Sequence, residues 1–191
     1  MEKTKERIGN INQEAELIIR AKQDIRLFEP LYNKYFASIF RFVYRKTDDE
    51  QTAADITSRV FYNAMKALDR YKITEVSFGA WLYKIAMNET YKFCRDYKKR
   101  YLSLEIEDVD RIMICEPMVS DEDEKINILN GLIQQLTDNE IRILELKFFE
   151  NRSFSEIAFI VEKKESAVKV KLYRALDKLK RKYQEIVSKE P

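Results

Sequence analysis

The segment Ser153 to Lys182, SFSEIAFIVEKKESAVKVKLYRALDKLKRK, constrains the fold most, because its pattern predicts two short helices joined by a tight turn. Ser153 followed three residues later by Glu156 is a capping box, in which the hydroxyl and the carboxylate each pair with a free N–H at a helix start. Apolar residues recur at spacings of three and four on both sides of EKKES, which indicates one buried face on each helix.

The second of these helices carries a cationic ridge. Five basic residues lie mostly off its apolar face, namely Lys169, Lys171, Arg174, Lys178 and Arg181. A ridge of this kind can meet a phosphate backbone, but a helical hairpin with lysines on its outer surface is also a common solvated element. Spacing alone leaves both interpretations open.

Residues that interrupt helices are scarce along the whole chain. It has 3 glycines and 3 prolines in 191 residues, and 45% of its residues are hydrophobic. The long stretches rich in Leu, Ile, Lys, Glu and Arg therefore predict an all-α protein. The length allows one domain or two small ones.

Composition also argues against several classes of function. The chain has no histidine, and its two isolated cysteines, Cys94 and Cys115, make neither a zinc site nor a disulfide framework. We therefore expect no catalytic residues, no metal, no cofactor and no small-molecule substrate. No apolar run approaches the roughly 20 residues that cross a bilayer, and MEKTKERIGN has no signal-peptide core, which predicts a cytoplasmic protein with no direct membrane insertion.

Charge divides the chain into three blocks: residues 1–101 carry a net +6, residues 102–140 a net −9 and residues 141–191 a net +5. We interpret residues 102–124 as a flexible acidic linker, because they contain Pro117 and no sustained apolar stripe. This predicts a helical domain at 1–101 and a second domain, with the helix-turn-helix, at 125–191. Two basic lobes suggest two nucleic-acid contacts. The extended linker spans at most ~80 Å, enough for two major-groove sites ~70 Å apart.

The N-terminal block contains its own helical patterns. Leu27, Leu31, Tyr35 and Ile39 share one predicted face, and Pro30 suits the first turn of that helix. Thr47 with Glu50 reads as a second capping box that begins the next helix.

Aromatic residues lie beside cations in the stretch that ends this block. Rings can stack on unpaired bases while lysines follow the backbone, and the candidates are Tyr71, Tyr83, Tyr91 and Phe93. Aromatic residues at helical spacing are more often core, so we expect about a third of these four to touch nucleic acid.

Two blocks of the chain resemble bacterial sigma factors of the extracytoplasmic-function type. SFSEIA and VKVKLYRALDKL are similar to the family patterns S-x-x-E-I-A and V-K-x-x-L-x-R-A-L-x-K-L, and WLYKIAMN is similar to W-L-[FY]-x-I-A-x-N. ADITSRVF stands where the family usually has D-A-E-D-[LI]-[VT]-Q-E-x-F. The matching blocks cover about residues 16–100 and 127–183, in the family's order.

The resemblance implies a sigma factor that binds core RNA polymerase, directs it to specific promoters and promotes strand separation at the minus-ten element. It assigns polymerase binding to Asp55, Thr57, Ser58 and Arg59. It assigns minus-ten recognition to a loop with Lys72, Ile73, Thr74, Glu75 and Ser77, followed by Trp81, Lys84, Asn88, Lys92 and Arg95. It assigns the minus-thirty-five element to Glu165, Ser166, Ala167, Lys169, Lys171 and Arg174.

The resemblance also implies an anti-sigma factor as a partner. It implies as well that the linker threads through the polymerase, where the acidic residues of the linker either mimic RNA or belong to a plain tether. Ser58 and Arg59 replace the family's usual Gln and Glu, which changes the hydrogen bonds and charge offered to polymerase. Lys92 replaces a frequent Asp. Glu162 stands at a usual turn glycine, and Lys164 at a usual capping Ser, so we expect Ser166 to cap the helix instead.

Three other classes of function remain as alternatives. A stand-alone helix-turn-helix regulator would use the N-terminal block for dimerisation or sensing and would bind palindromic half-sites. A helical anchoring protein would show no salt-dependent DNA binding. An enzyme is the weakest alternative, because no nucleophile, base and orienting group can be assembled from these residues.

Overall fold

The computed structural model describes residues 2–74, 76–102, 128–129 and 131–188, and their side chains except at 2–12, 96–102 and 187. The chain divides into two compact units, one before and one after the boundary between residues 113 and 114. Every regular element in the described ranges is a helix, so the predicted all-α class with two helical domains is confirmed. The predicted linker lies, apart from residue 102, outside the described residues.

In its described residues, the N-terminal unit has four α-helices and two short 3₁₀ turns. They are α1 (Glu2–Gln23), a 3₁₀ turn (Ile25–Phe28), α2 (Glu29–Thr47), α3 (Glu50–Ala67), a second 3₁₀ turn (Leu68–Arg70) and α4 (Phe78–Leu102). α2, α3 and α4 pack against one another. Their fully buried side chains include Leu31, Ile39, Phe42, Ile56, Val60, Phe61, Leu82 and Tyr83.

The start of α3 differs from the predicted capping box. Asp49, not Thr47, is the N-cap, and its carboxylate accepts a hydrogen bond from the N–H of Thr52 at 2.7 Å. Thr47 is the last residue of α2, and Asp48 ends that helix in the left-handed conformation with φ 49°. The Thr47–Glu50 box is therefore wrong, because Asp49 has an acceptor of its own at the required position. Its two hydrogen bonds to Thr52 lower the pKa of Asp49.

One predicted core position also shifts by a residue. Leu31, Tyr35 and Ile39 are buried as expected, and Pro30 lies in the first turn of α2. Leu27, however, is 39% exposed, and Phe28 is buried in its place at 2%. Residues 25–28 form a 3₁₀ turn, which has three residues per turn. The residue that shares the buried face with Leu31 is therefore Phe28, three positions earlier, and not Leu27, four positions earlier.

Besides helical residues at 128–129 and 131–133, the described part of the C-terminal unit has three α-helices and a short π-helical turn. They are α5 (Asp138–Leu144), the π turn (Glu145–Phe149), α6 (Phe154–Ile160) and α7 (Glu165–Val187). Their core is formed by Leu132, Leu136, Ile143, Leu146, Ile157, Ile160, Val168, Leu172 and Ala175.

Two capping boxes fix the helix starts in this unit. Glu156 N–H donates to Ser153 Oγ at 3.2 Å, and Ser153 N–H donates to Glu156 Oε2 at 2.9 Å, which confirms the predicted box. Thr137 and Glu140 form a second box at α5. The T-x-x-E pattern that signals it is present in the sequence, but our sequence interpretation had not used it.

Candidate nucleic-acid interface

Helix α7 presents the six residues predicted at the minus-thirty-five element to solvent. Glu165, Ser166, Ala167, Lys169, Lys171 and Arg174 are all exposed, whereas Val168, Leu172 and Ala175 are buried against the rest of the unit. The first three turns of the helix therefore offer polar and cationic groups on a surface that packing holds in place. This is the part of a recognition helix that contacts base edges in helix-turn-helix proteins.

The cations on α7 face different surroundings. Lys169 pairs with Glu165 at 2.6 Å and lies 5.3 Å from the centre of the Phe154 ring. Both partners of the pair are half exposed, so it contributes only about 0–1 kcal/mol and leaves the ammonium available to an anion. Lys171 is one of the positive charges near Glu140. The pKa of Glu140 is lowered, first by its hydrogen bond from the Thr137 N–H and more weakly by the charges of Lys178 and Lys171.

Two exposed residues of α7 were missed by the sequence interpretation. Val170 is 48% and Tyr173 is 58% exposed, and both lie opposite Val168 and Leu172 on the helix. The signal was available, since the helical period places Ser166, Val170 and Tyr173 on one stripe. The predicted set of six residues included neither Val170 nor Tyr173, although apolar side chains can contact thymine methyl groups.

The turn between α6 and α7 is tight. Glu162 has φ 53°, and Lys163 N–H donates to the carbonyl of Ala158 at 3.0 Å, the pattern that closes many helices with a left-handed residue. α7 begins at Glu165, and its N-cap Lys164 makes no side-chain cap hydrogen bond. The expectation that Ser166 caps the helix is wrong, because Ser166 already lies within its first turn.

In the N-terminal unit, the predicted minus-ten loop lies between two anchored ends. Tyr71, just before it, packs against Phe78 and Trp81 with ring centres 5.2 and 4.8 Å apart. At the other end, Ser77 Oγ accepts from Ala80 N–H at 3.2 Å at the start of α4. Lys72, Ile73 and Thr74 are exposed between them, and Ser77 is half-buried. Glu75 lies outside the described residues.

Five further predicted residues form one stripe along α4. Trp81, Lys84, Asn88, Lys92 and Arg95 follow spacings of three and four, opposite the buried Tyr83, Ala86 and Thr90. Trp81 and Lys84 are half-buried, and the other three are exposed. The stripe begins beside the loop, so the loop and the stripe form a continuous surface with an aromatic ring at one end and cations along it.

Two of the four predicted stacking aromatics do not share this surface. Tyr71 and Tyr83 are buried in the core, so neither ring can receive a base in this structure. Burial, and then the charge of Glu14, raise the pKa of Tyr71 to about 12. Tyr91 and Phe93 are half-buried. The predictions for Tyr71 and Tyr83 were wrong because the spacing of aromatic residues does not show which of them pack against α2 and α3.

Helix α3 carries the residues predicted to bind polymerase. Asp55, Ser58 and Arg59 are exposed, but Thr57 is 0% exposed and cannot face a partner. Thr57 points into the packing with the other helices, and its hydroxyl has no hydrogen-bond partner within the described structure. Tyr62, one turn beyond Ser58, was missed. It is 57% exposed, with Lys66 5.3 Å from its ring centre.

The described residues contain no cluster of three potential metal ligands from His, Cys, Asp and Glu. Among the helices in those same ranges, none combines the length and the apolar character needed to cross a bilayer.

Family comparisons match both units. The sigma-70 region 2 family matches residues 31–100, and the sigma-70 region 4 family matches residues 126–187. The chain belongs to the sigma-70 family. It is an RNA polymerase sigma factor of the extracytoplasmic-function type, as the resemblance predicted. Sigma factors are generally not enzymes.

Curated relatives of this sigma factor are similar at a distance. The extracytoplasmic-function sigma factor BldN of Streptomyces coelicolor is 28% identical over 172 residues, which cover 87% of this chain and 64% of BldN. The sigma factor SigW of Bacillus subtilis is 27% identical over 175 residues, covering 86% of this chain and 93% of SigW.

Two solved structures share the fold of the sigma factor. CnrH, in complex with the cytosolic domain of CnrY, has a TM-score of 0.62 at 17% identity, with 93% of this chain and 99% of CnrH covered. RpoE, in complex with the anti-sigma factor NepR from Bartonella quintana, has a TM-score of 0.54 at 19% identity, with 86% and 98% covered.

Proposed function

We propose that this sigma factor binds core RNA polymerase, directs it to specific promoters and promotes strand separation at the minus-ten element. The observation that carries this proposal is the pairing of two family-matched units, each with a polar and cationic surface on its own helices. The function requires no catalytic group. Because polymerase and promoter DNA are its partners, we place it in the cytoplasm.

The first three turns of α7 are the proposed reader of the minus-thirty-five element. Glu165, Ser166 and Ala167 begin the helix, and Lys169, Lys171 and Arg174 follow at positions exposed to a major groove. We add Val170 and Tyr173, whose exposed apolar surfaces suit thymine methyl groups. Arg174 suits base edges or phosphate, and the lysines suit phosphate.

The loop and the α4 stripe are the proposed minus-ten surface. Exposed Lys72, Ile73 and Thr74 would receive a flipped base, and the family pattern places Glu75 and Ser77 with them. Trp81, Lys84, Asn88, Lys92 and Arg95 would follow the separated strand along α4. A single strand binds surfaces that combine ring faces with a row of cations, and this stripe has both.

Core polymerase is the proposed partner of the exposed face of α3. Asp55, Ser58 and Arg59 supply polar groups, and Tyr62 supplies a large exposed ring of the kind that dominates binding at protein interfaces. Thr57 is excluded from direct contact by its burial. We also propose an anti-sigma factor as a regulatory partner, since RpoE of similar fold was solved with one.

The proposal is tested by transcription with purified core enzyme and the full-length chain on a library of bacterial genomic fragments. We expect specific transcripts that start only when the chain is present. A stand-alone regulator would instead bind DNA without core enzyme and produce no transcripts, and that result would contradict the proposal.

Variants of α7 test the reader itself. Lys171→Ala should weaken promoter binding on every sequence and reduce the slope of log affinity against log salt by about 1. Lys180→Ala is the matched control, because Lys180 is an exposed cation on the same helix that lies outside the cationic ridge. An unchanged slope for Lys171→Ala would remove this residue from the interface.

A further inference from the structure

Helix α1 reaches the base of the proposed minus-ten loop. Lys22, in its last turn, donates hydrogen bonds to the main-chain carbonyls of Tyr71 at 2.5 Å and Asp69 at 3.3 Å, which lie 49 and 47 residues later. All of α1 precedes the stretch that the region 2 family matches, which begins at residue 31. The same helix is anchored to the unit by the buried side chains of Ile18 and Ala21.

These two carbonyls lie where a helix ends and the loop begins. α3 continues into the 3₁₀ turn Leu68–Arg70, and Tyr71 then adopts an extended conformation, with φ −65° and ψ 129°. The last carbonyls of a helix lack helical partners and carry its partial negative charge. An ammonium group at this point satisfies them and favours one direction for the chain as it enters Lys72.

A second side chain of α1 approaches the same place. Glu14 accepts hydrogen bonds from the Tyr35 hydroxyl at 2.5 Å and from Lys34 at 2.7 Å, which hold α1 against α2. The Tyr71 ring packs between Phe78 and Trp81, so the residue before the loop is held by its ring as well as by its carbonyl. α1 thus supports the start of the loop from a separate element.

We propose that Lys22 is a positioning residue for the start of the loop, residues 72–74, and that α1 through it keeps these residues ready to receive a base. This inference rests on the proposed minus-ten function of the loop. The hydrogen bonds of the Lys22 ammonium in the described part of the chain go to main-chain carbonyls, so its proposed effect on DNA passes through the loop. Loss of the contact lets the chain leave Arg70 in several directions, and promoter opening slows while polymerase binding stays the same.

The first test uses hydrogen exchange in the free full-length protein, with no DNA or polymerase. Lys22→Gln should raise the exchange of amides in a peptide spanning residues 68–74 by about tenfold, the effect of losing a charge-assisted hydrogen bond. Lys22→Arg should keep most of the protection. Lys34→Gln is the matched control, because it loses the bond to Glu14 and leaves the loop carbonyls bonded.

Each result of this test decides the proposal. Faster exchange confined to the loop in Lys22→Gln supports it. Three results would overturn the proposal: unchanged exchange in the loop, an equal change in Lys34→Gln, and a uniform rise across the whole N-terminal unit. The last two of these would indicate general loosening of α1 or of the fold.

The second test separates the positioning role from the proposed function. The probe is a promoter fragment selected from genomic DNA by the wild-type holoenzyme, and the readout is permanganate reactivity of unpaired thymines. Holoenzyme with Lys22→Gln should open this fragment about tenfold more slowly, with unchanged affinity for core enzyme. If the loop exchanges faster but opening is unchanged, Lys22 positions the loop and the minus-ten assignment of the loop is what fails.

Discussion

The two units hold their candidate DNA surfaces in different ways. In the C-terminal unit the proposed reader lies on α7 itself, and its orientation follows from Val168, Leu172 and Ala175 in the core beneath it. In the N-terminal unit part of the surface is a loop, held at its ends by Tyr71 and by the Ser77 cap, and from outside by Lys22.

This difference suits two different forms of DNA. A duplex major groove has a regular shape, so a rigid helix can read it with side chains at fixed positions. A base that leaves the stack must be received by a surface of irregular shape, which a short loop can form. The Tyr71 ring, the Lys22 ammonium and the Ser77 cap fix where this loop begins and ends.

The largest expected effect is on the N-terminal core. Phe78→Ala removes a buried ring that packs against Phe28, Tyr35, Tyr71 and Trp81, and it should cost about 3–5 kcal/mol of unfolding free energy. Urea unfolding followed by the fluorescence of Trp81, the one tryptophan of the chain, measures it.

The comparison between the units sharpens this experiment. Phe78→Ala should retain duplex binding by α7. The control is Phe148→Ala, which removes an exposed ring and should change the free energy of unfolding by less than about 0.5 kcal/mol. Equal loss of duplex binding and of N-terminal stability would show that the units do not act separately.

A smaller effect is expected at the polymerase surface. Asp55→Arg reverses an exposed charge on α3 and should weaken binding to core enzyme by about 2 kcal/mol, roughly thirtyfold. Fluorescence anisotropy of the labelled chain with core enzyme measures it, and Glu16→Arg, an exposed acid on α1, is the control. Equal weakening by both variants would indicate that net charge, not the α3 surface, sets the affinity.

The smallest effect concerns the left-handed residues that end a helix in each unit. Glu162→Gly should raise the unfolding free energy of the C-terminal unit by about 1 kcal/mol, because glycine tolerates positive φ. Asp48→Gly is the N-terminal counterpart, and its gain should be smaller, since Asp visits this conformation more readily. Denaturant midpoints compare the two. A loss of stability in Glu162→Gly would mean that the Glu162 side chain matters more than its backbone conformation.

Features that depend on residues three or four apart were the ones the sequence predicted well. The Ser153–Glu156 box involves one helical turn, and the buried face of α7 follows from its period. The α3 start was missed by two residues because Thr47 and Asp49 both carry capping oxygens. Which of these two residues caps α3 depends on where α2 ends, and the positions of possible capping residues do not show that.

Features that depend on tertiary packing were beyond the sequence patterns. Thr57 lies beside exposed Ser58, yet it is buried because α3 packs against two helices at once. The contact of Lys22 joins carbonyls almost 50 residues away, and main-chain acceptors have no sequence signature. The burial of Tyr71 and Tyr83 has the same origin, since periodicity shows that a ring lies on a face but not what covers that face.

The central claim, that the two units contact two different forms of DNA, is tested most directly by transcription from duplex and from premelted promoters. Holoenzymes carrying Asn88→Ala on α4 and Arg174→Ala on α7 are compared on the same promoter, with and without a mismatched bubble at the minus-ten element. We predict that the bubble restores much of the Asn88→Ala activity and leaves the Arg174→Ala defect unchanged. Equal restoration of both variants would contradict the account.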